Sequence, residues 1–166
     1  LIRSFPGIPG SREEIKMGQK IRGIIDFAHT PNALNSVLNQ LRQELPEGKK
    51  LILVFGCAGL RDTRKRPLMG KIALKLAHQI VVTAEDPRTE NLDDIYHQIV
   101  SNRKTNKIIR EDNRQKAISL AISSAIPGDI VVITGKGHEK TMCFDNVEFP
   151  WTDRKAVRKA LLSQKL

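Results

Sequence analysis

Two carboxylates and a guanidinium crowd around one proline in Glu85-Asp86-Pro87-Arg88, directly after the apolar run Val81-Val82-Thr83. Proline fixes its own φ and disfavours helix at the residue before it, so this turn is predicted to be stiff. Opposite charges held on one stiff turn suit a zwitterion such as an amino acid. The bland alternative is a surface loop whose Asp caps the next helix.

Three further stretches carry unusual polar residues. Asp26-Phe27-Ala28-His29-Thr30-Pro31 sets an acid and an imidazole three residues apart where an apolar run gives way to a helix start. The acid could take ribose hydroxyls, and the imidazole could meet a phosphate close to the helix N-terminus. No Cys or carboxylate stands at ligand spacing, which argues against a metal role for either. Gly56 to Pro67 runs from small residues through the charged group Arg61 to Arg66, and its basic side chains suit a carboxylate or phosphate. Cys57 in that stretch has no base beside it and reads as a packed thiol.

The last stretch, Gly135-Lys136-Gly137-His138-Glu139, imitates a phosphate loop but fails the pattern. Gly137 follows Lys136 where Ser or Thr is needed, and Ile130 occupies the place of the first glycine. Glu139 is instead placed to receive an ammonium group. His78 and His97 lie in helical runs and read as ordinary surface or partly buried side chains.

These stretches need elements to hold them. Apolar strand-like runs at 21–27, 50–56, 80–83, 107–110 and 129–134 alternate with helical periods. Thr30-Pro31 reads as an N-cap with proline at the first helical position, Asn91 as a cap, and Asp112 with Gln115 as a capping box. A hairpin-like piece at 142–151 and a helix over 153–162 close the chain. Strand and helix alternating five times imply an α/β domain with a mainly parallel sheet. Every polar stretch above follows a strand, so parallel strands would gather all four at one sheet edge, where open α/β sheets take their ligands.

Length and charge bound the partners. A chain of 166 residues is about one domain, and 28 Lys plus Arg against 18 acidic residues give +10. That balance favours an anionic partner: nucleic acid, an acidic membrane surface, a nucleotide or a phosphorylated substrate. Aromatics make up only 4% of the chain, which weakens single-strand nucleic-acid binding. No apolar run reaches the roughly 18 residues of a membrane span. Two cysteines suggest no disulfide framework and fit a reducing cytoplasm. The start at Leu1 reads as a piece of something longer, with no signal peptide to remove.

Taken together, the chain resembles the C-terminal (glutamate ligase) domain of the Mur ligases, most of all the UDP-N-acetylmuramoyl-tripeptide synthetases. The resemblance rests on Asp26 to Pro31, Phe55-Gly56-Cys57 with Arg61-Asp62, Lys65 to Gly70, Asp86 to Glu90 and Gly135 to Glu139, in order and at matching spacing. It implies a Rossmann-like three-layer α/β domain with a mainly parallel sheet of about six strands. Residues 1–18 would be an interdomain lead-in and 19–166 the Mur ligase C-terminal domain. It also implies an ATP-dependent amide ligase of peptidoglycan precursor synthesis, cytoplasmic, acting on small molecules without nucleic acid or membrane. Such an enzyme adds meso-diaminopimelate or L-lysine to UDP-MurNAc-L-Ala-D-Glu. ATP and Mg2+ would be held mainly by a central domain of the same protein, and UDP by its N-terminal domain. The isolated domain is then expected to be inactive.

By the same resemblance Asp26 and His29 would contact ATP. Arg61, Glu85, Asp86, Arg88, Gly135 and Glu139 would bind the amino acid. Two departures stand out. The diaminopimelate type has Asn where Asp86 stands, and an anion there favours the side-chain ammonium of lysine or demands a compensating contact. The arginine of Pro9-Gly10-Ser11-Arg12 is shifted by one place relative to the family. The alternatives are another ligase of the superfamily, such as a folylpolyglutamate synthase, or a non-catalytic basic nucleotide- or nucleic-acid-binding domain.

Overall fold

A computed structural model describes residues 12–164. The turn reading of Phe5 to Gly10 falls outside those residues, as does Ser11. Strand β1 (Glu13–Ile15) is followed by β2 (Arg22–Asp26), helix α1 (Pro31–Glu44), β3 (Leu51–Phe55), α2 (Lys65–Leu76) and β4 (Gln79–Val82). Then come α3 (Leu92–Val100), β5 (Ile108–Arg110), α4 (Arg114–Ser124), β6 (Ile130–Thr134), the hairpin β7 (Thr141–Phe144) and β8 (Val147–Pro150), and α5 (Asp153–Ser163).

Six strands form one sheet in the order β1-β2-β6-β3-β4-β5. All neighbours are parallel except β1, which runs antiparallel to β2 with Ile15 opposite Gly23. Strand β1 lies within the stretch 1–18, and its three residues are too few to show an alternating pattern in the sequence. The hairpin forms a separate two-stranded sheet.

Side-chain alternation along each strand divides the core into two layers. Leu51, Leu53 and Phe55 of β3 join Leu34, Leu38, Met69, Ala73 and Ile99 from α1, α2 and α3. Ile52 and Val54 face the other way, onto Ala117, Ile118, Ala121, Val157 and Leu161 of α4 and α5. Strands buried on both faces read as unbroken apolar runs, which is why β3 and β6 are the clearest in the sequence. The result is the expected α/β sandwich with helices on both sides of a mostly parallel six-stranded sheet.

Helix starts follow local capping chemistry. Thr30 Oγ1 accepts from Ala33 N at 3.2 Å with Pro31 first in the helix, and Asn91 Oδ1 accepts from Asp93 N at 2.7 Å. At α4 the cap is Asn113, accepting from Lys116 N at 3.0 Å, one residue later than the Asp112 box expected from sequence. Asp112 instead receives Arg110 Nε at 2.9 Å. Helix α2 begins at Lys65 rather than Pro67, since proline is tolerated anywhere in the first turn, where N–H groups have no helical acceptor.

Candidate functional site

Strand β6 sits between β2 and β3, so the carboxyl ends of β2, β3, β4 and β6 adjoin. A cavity of about 520 Å³ opens there. Phe27 and His29 line it from the β2 loop, Arg61 from the β3–α2 loop and Lys65 from the start of α2. Glu85, Asp86 and Arg88 line it from the β4 turn, and Gly135 and Glu139 from the loop after β6. Seven of the eight predicted site residues therefore share one pocket. Asp26 lies just behind it, at the end of β2. A cleft of similar size, about 560 Å³, lies beside Trp151 between Lys140, Lys155 and Lys159. It holds no carboxylate, so of these two cavities the sheet-edge one alone gathers charges of both signs.

The β4 turn is rigid, by a wider set of contacts than proline alone supplies. Asp86 and Arg88 both adopt left-handed backbone, with φ of 41° and 54° on either side of Pro87. Non-glycine residues seldom hold such angles unless their surroundings over-determine them. Here the hairpin does so. Arg88 N donates to Cys143 O at 3.2 Å, Asp145 N donates to Arg88 O at 2.8 Å, and Cys143 N donates to Asp86 Oδ1 at 2.8 Å. The opposite side presses on Gly59, where a Cβ would stand 1.9 Å from Pro87 O, so only glycine fits against this turn.

Asp86 is held internally. Its Oδ2 accepts from Lys136 Nζ at 2.8 Å, and the same ammonium reaches Glu139 Oε2 at 2.7 Å. Lys136 is thus the compensating contact that an Asp in place of Asn demands. It is 1% exposed and spent on two carboxylates, consistent with the failed phosphate-loop pattern. Sequence reading assigned it no role; the acid-for-amide swap at Asp86 was the signal that pointed to a missing cation.

The two arginines of the cavity are less committed. Arg88 Nη1 donates to Gly59 O at 2.9 Å and Asp86 O at 3.3 Å, and its other guanidinium nitrogens have no hydrogen-bond partner among the described residues. Arg61 is exposed and, among the described residues, donates only to the neighbouring Leu60 O, at 3.2 Å. Asp62 pairs with Arg64 at 3.0 Å.

Glu85 differs from every other acid here. It is 6% exposed, its Oε2 has no hydrogen-bond partner, and burial pushes its carboxyl up to about 7 despite nearby Arg114, Lys65 and Lys136. Gly135, at φ 109°, lies so close that a Cβ there would stand 2.2 Å from Glu85 Oε2.

On the β2 side, Asp26 Oδ1 accepts from Ala28 N at 2.7 Å, and partial burial raises its pKa. His29 Nδ1 donates to Phe27 O at 3.1 Å, leaving Nε2 as the acceptor. Lys65 Nζ donates to His29 O at 2.8 Å and ties the two loops together. Cys57 is buried and its thiol is pushed up to about 12, mainly by desolvation, so it is the packed thiol expected. His78 is partly buried and accepts from Leu51 N at 2.9 Å.

Behind the cavity stand two buried arginines that the sequence did not single out. Arg66, 0% exposed, donates to Glu90 Oε2 at 2.8 Å and to Ala58 O at 3.0 Å, and holds Glu90 down to about 2. Arg114 grips Asp153 with Nε and Nη2 at 2.8 and 2.9 Å while donating to Ala84 O and Thr134 O. The first pins the β3–α2 loop to the β4 turn, the second pins the ends of β4 and β6 to α5.

Such an arrangement can bind a zwitterion by its carboxylates and amines at the edge of a parallel sheet. The family model of the Mur ligase glutamate ligase domain matches residues 11–137. The chain belongs to the Mur ligase family. This Mur ligase domain is 46% identical, over 96% of its length, to the UDP-N-acetylmuramoyl-L-alanyl-D-glutamate–2,6-diaminopimelate ligase of Thermosynechococcus vestitus, and covers 32% of that protein. It is 41% identical over 95% of its length to the ligase of the same name from Lawsonia intracellularis, again covering 32%. A solved structure of a ligase of this name superposes with a TM-score of 0.89 at 35% identity, covering 98% of this chain and 33% of the other. The bifunctional folylpolyglutamate synthase/dihydrofolate synthase of Yersinia pestis, at 16% identity and a TM-score of 0.60 over 96% of this chain and 32% of that one, shares the fold alone. The Mur ligase domain thus spans about a third of the curated relatives it matches.

Proposed function

We propose that this domain receives the amino acid in an ATP-dependent ligase that adds meso-diaminopimelate to UDP-MurNAc-L-Ala-D-Glu in the cytoplasm. The observation that carries this reading is the pair of incompletely engaged guanidiniums, Arg61 and Arg88, on one cavity with Glu85 and Glu139. Diaminopimelate has two carboxylates, and planar guanidiniums match carboxylates in bidentate fashion. Lysine has only one. The charge of Asp86, which on sequence grounds favoured lysine's ammonium, is already taken by Lys136. Its relatives' names, which specify 2,6-diaminopimelate, support the same choice.

Within the site Arg88 holds the distal carboxylate and Arg61 the carboxylate next to the reacting amine. Glu139 keeps one oxygen for an ammonium, and Gly135 leaves room for backbone approach. Asp26 receives ribose hydroxyls and His29 meets the phosphate side of ATP. In this reading ATP and Mg2+ are held mainly by the central domain of the same protein. ATP bound there converts the D-glutamate γ-carboxylate into an acyl phosphate; the residues here position the amine that attacks it.

The test is ligation by the full-length protein containing this chain, with ATP, the UDP-dipeptide and either meso-diaminopimelate or lysine. Turnover with the first and little with the second is expected. Preference for lysine would overturn the assignment of Arg88. The isolated chain should neither turn over ATP nor ligate.

A further inference from the structure

Four carboxylates line the cavity, and three are already engaged. Asp62 pairs with Arg64 at 3.0 Å, and Lys136 serves Asp86 and Glu139. Glu85 alone makes no ion pair among the described residues, although it is the most deeply buried of them and its Oε2 is unpartnered. Burying a carboxyl without a partner is costly, so a fold retains one only where something else uses it.

We propose that Glu85 is the proton acceptor for the attacking amine of the diamino acid. This rests on the ligase reading above and adds a role to it. An amino acid enters with its amine as an ammonium, which has no lone pair to attack with. Glu85 carboxylate takes one proton from that ammonium and becomes the neutral acid. The freed amine attacks the acyl-phosphate carbonyl, the C–N bond forms, the C–O bond to phosphate breaks, and inorganic phosphate leaves. The departing phosphate takes the second proton from the nitrogen and leaves as hydrogen phosphate, and Glu85 returns its own proton to water once product departs. No further reactant is required.

Several features suit the task. The carboxyl lies against the Cα of Gly135, on the same cavity wall as Arg88. The charges facing it come from every side: Arg114 of α4, Lys65 of α2, Lys136 after β6 and Asp86 on its own turn, with the Cys57 thiol also near. None of the cations bonds to it. Burial outweighs them, leaving a carboxyl that titrates close to neutral pH, where a base can both hold and release a proton. His29 Nε2 is the rival acceptor on the cavity, but it sits on the β2 side beside Phe27, where the nucleotide is expected.

The experiment uses the full-length ligase and two nucleophiles. Hydroxylamine is largely unprotonated at neutral pH and traps acyl phosphate without a base, whereas diaminopimelate needs one. Glu85→Gln should leave ATP-dependent hydroxamate formation within about threefold of wild type while kcat for diaminopimelate falls about 100-fold or more. KM for the diamino acid should change little. The acidic limb of the wild-type kcat–pH profile should vanish in the variant, and its defect should narrow as rising pH deprotonates the amine directly. Glu85→Asp should recover part of the rate. A raised KM with kcat preserved would reduce Glu85 to a binding group and overturn the proposal. So would an acidic limb that survives Glu85→Gln and disappears in His29→Asn. Loss of hydroxamate formation along with ligation would assign Glu85 to the fold instead. If wild type itself formed neither product, the ligase reading would fail first and take this role with it.

Discussion

Two sets of charges lie within a few residues of each other and are treated in opposite ways. Behind the cavity, Arg114 with Asp153 and Arg66 with Glu90 are paired, buried or nearly so, and bonded in addition to backbone carbonyls. On the cavity wall, Arg61, Arg88 and Glu85 keep unused hydrogen-bonding capacity. Paired charges away from water fix where loops go, and removing one partner strands the other. Under-partnered charges at a cavity add little to stability and remain available to a ligand. The same residue types thus divide into scaffold and receptor by what surrounds them.

The largest effect should come from breaking the scaffold. Asp153→Ala leaves Arg114 buried without its carboxylate and should cost about 3–5 kcal/mol, read as a fall in the Tm of the chain. A Tm close to wild type would mean that the pair is not structural and would erase the contrast.

Arg88→Ala should act on the receptor side. It should weaken diaminopimelate binding by the full-length enzyme by about 2–5 kcal/mol, measured as KM or by calorimetry, with a smaller loss for lysine. Equal losses with both amino acids would remove Arg88 from the distal carboxylate.

The two acids with the most displaced titrations sharpen the comparison through pH. Glu85 keeps its proton in the fold up to about 7 but, once unfolded, releases it near its ordinary 4.5. Stability should therefore fall as pH rises through that window, by roughly 3 kcal/mol in all. Glu85→Gln should flatten this slope in Tm against pH. Glu90, held down to about 2 by Arg66, behaves in the reverse sense: its contribution is present above 4.5 and is lost as pH falls toward 2. Glu90→Gln should remove that acid-side loss and leave the neutral-side slope untouched.

The smallest change is Arg61→Ala, which removes one bond to the adjacent carbonyl from an exposed side chain. Stability should stay within about 0.5 kcal/mol, again by Tm, while diaminopimelate binding weakens.

Much of this was legible before any coordinates. The alternation of apolar runs and helical periods specified the α/β sandwich, because a strand covered on both faces must be apolar throughout and an amphipathic helix must repeat near its turn length. The caps at Thr30 and Asn91 were readable because they depend on neighbours in the chain. The shift from Asp112 to Asn113 was not, since Arg110 draws Asp112 away from the helix. Strand β1 was too short to leave a pattern.

What the sequence determined by itself was the set of chemistry-bearing loops and their common position after strands, together with the family they resemble. Tertiary structure alone decided which of those charges are occupied. Lys136 lies 50 residues from Asp86, and Arg114 lies 39 from Asp153. Partners that distant leave no local trace, because they meet only when the sheet brings its strand ends together. The same closure leaves Glu85 the one cavity acid without an ion-pair partner among the described residues, for burial and pairing depend on every neighbour in space and on no pattern along the chain.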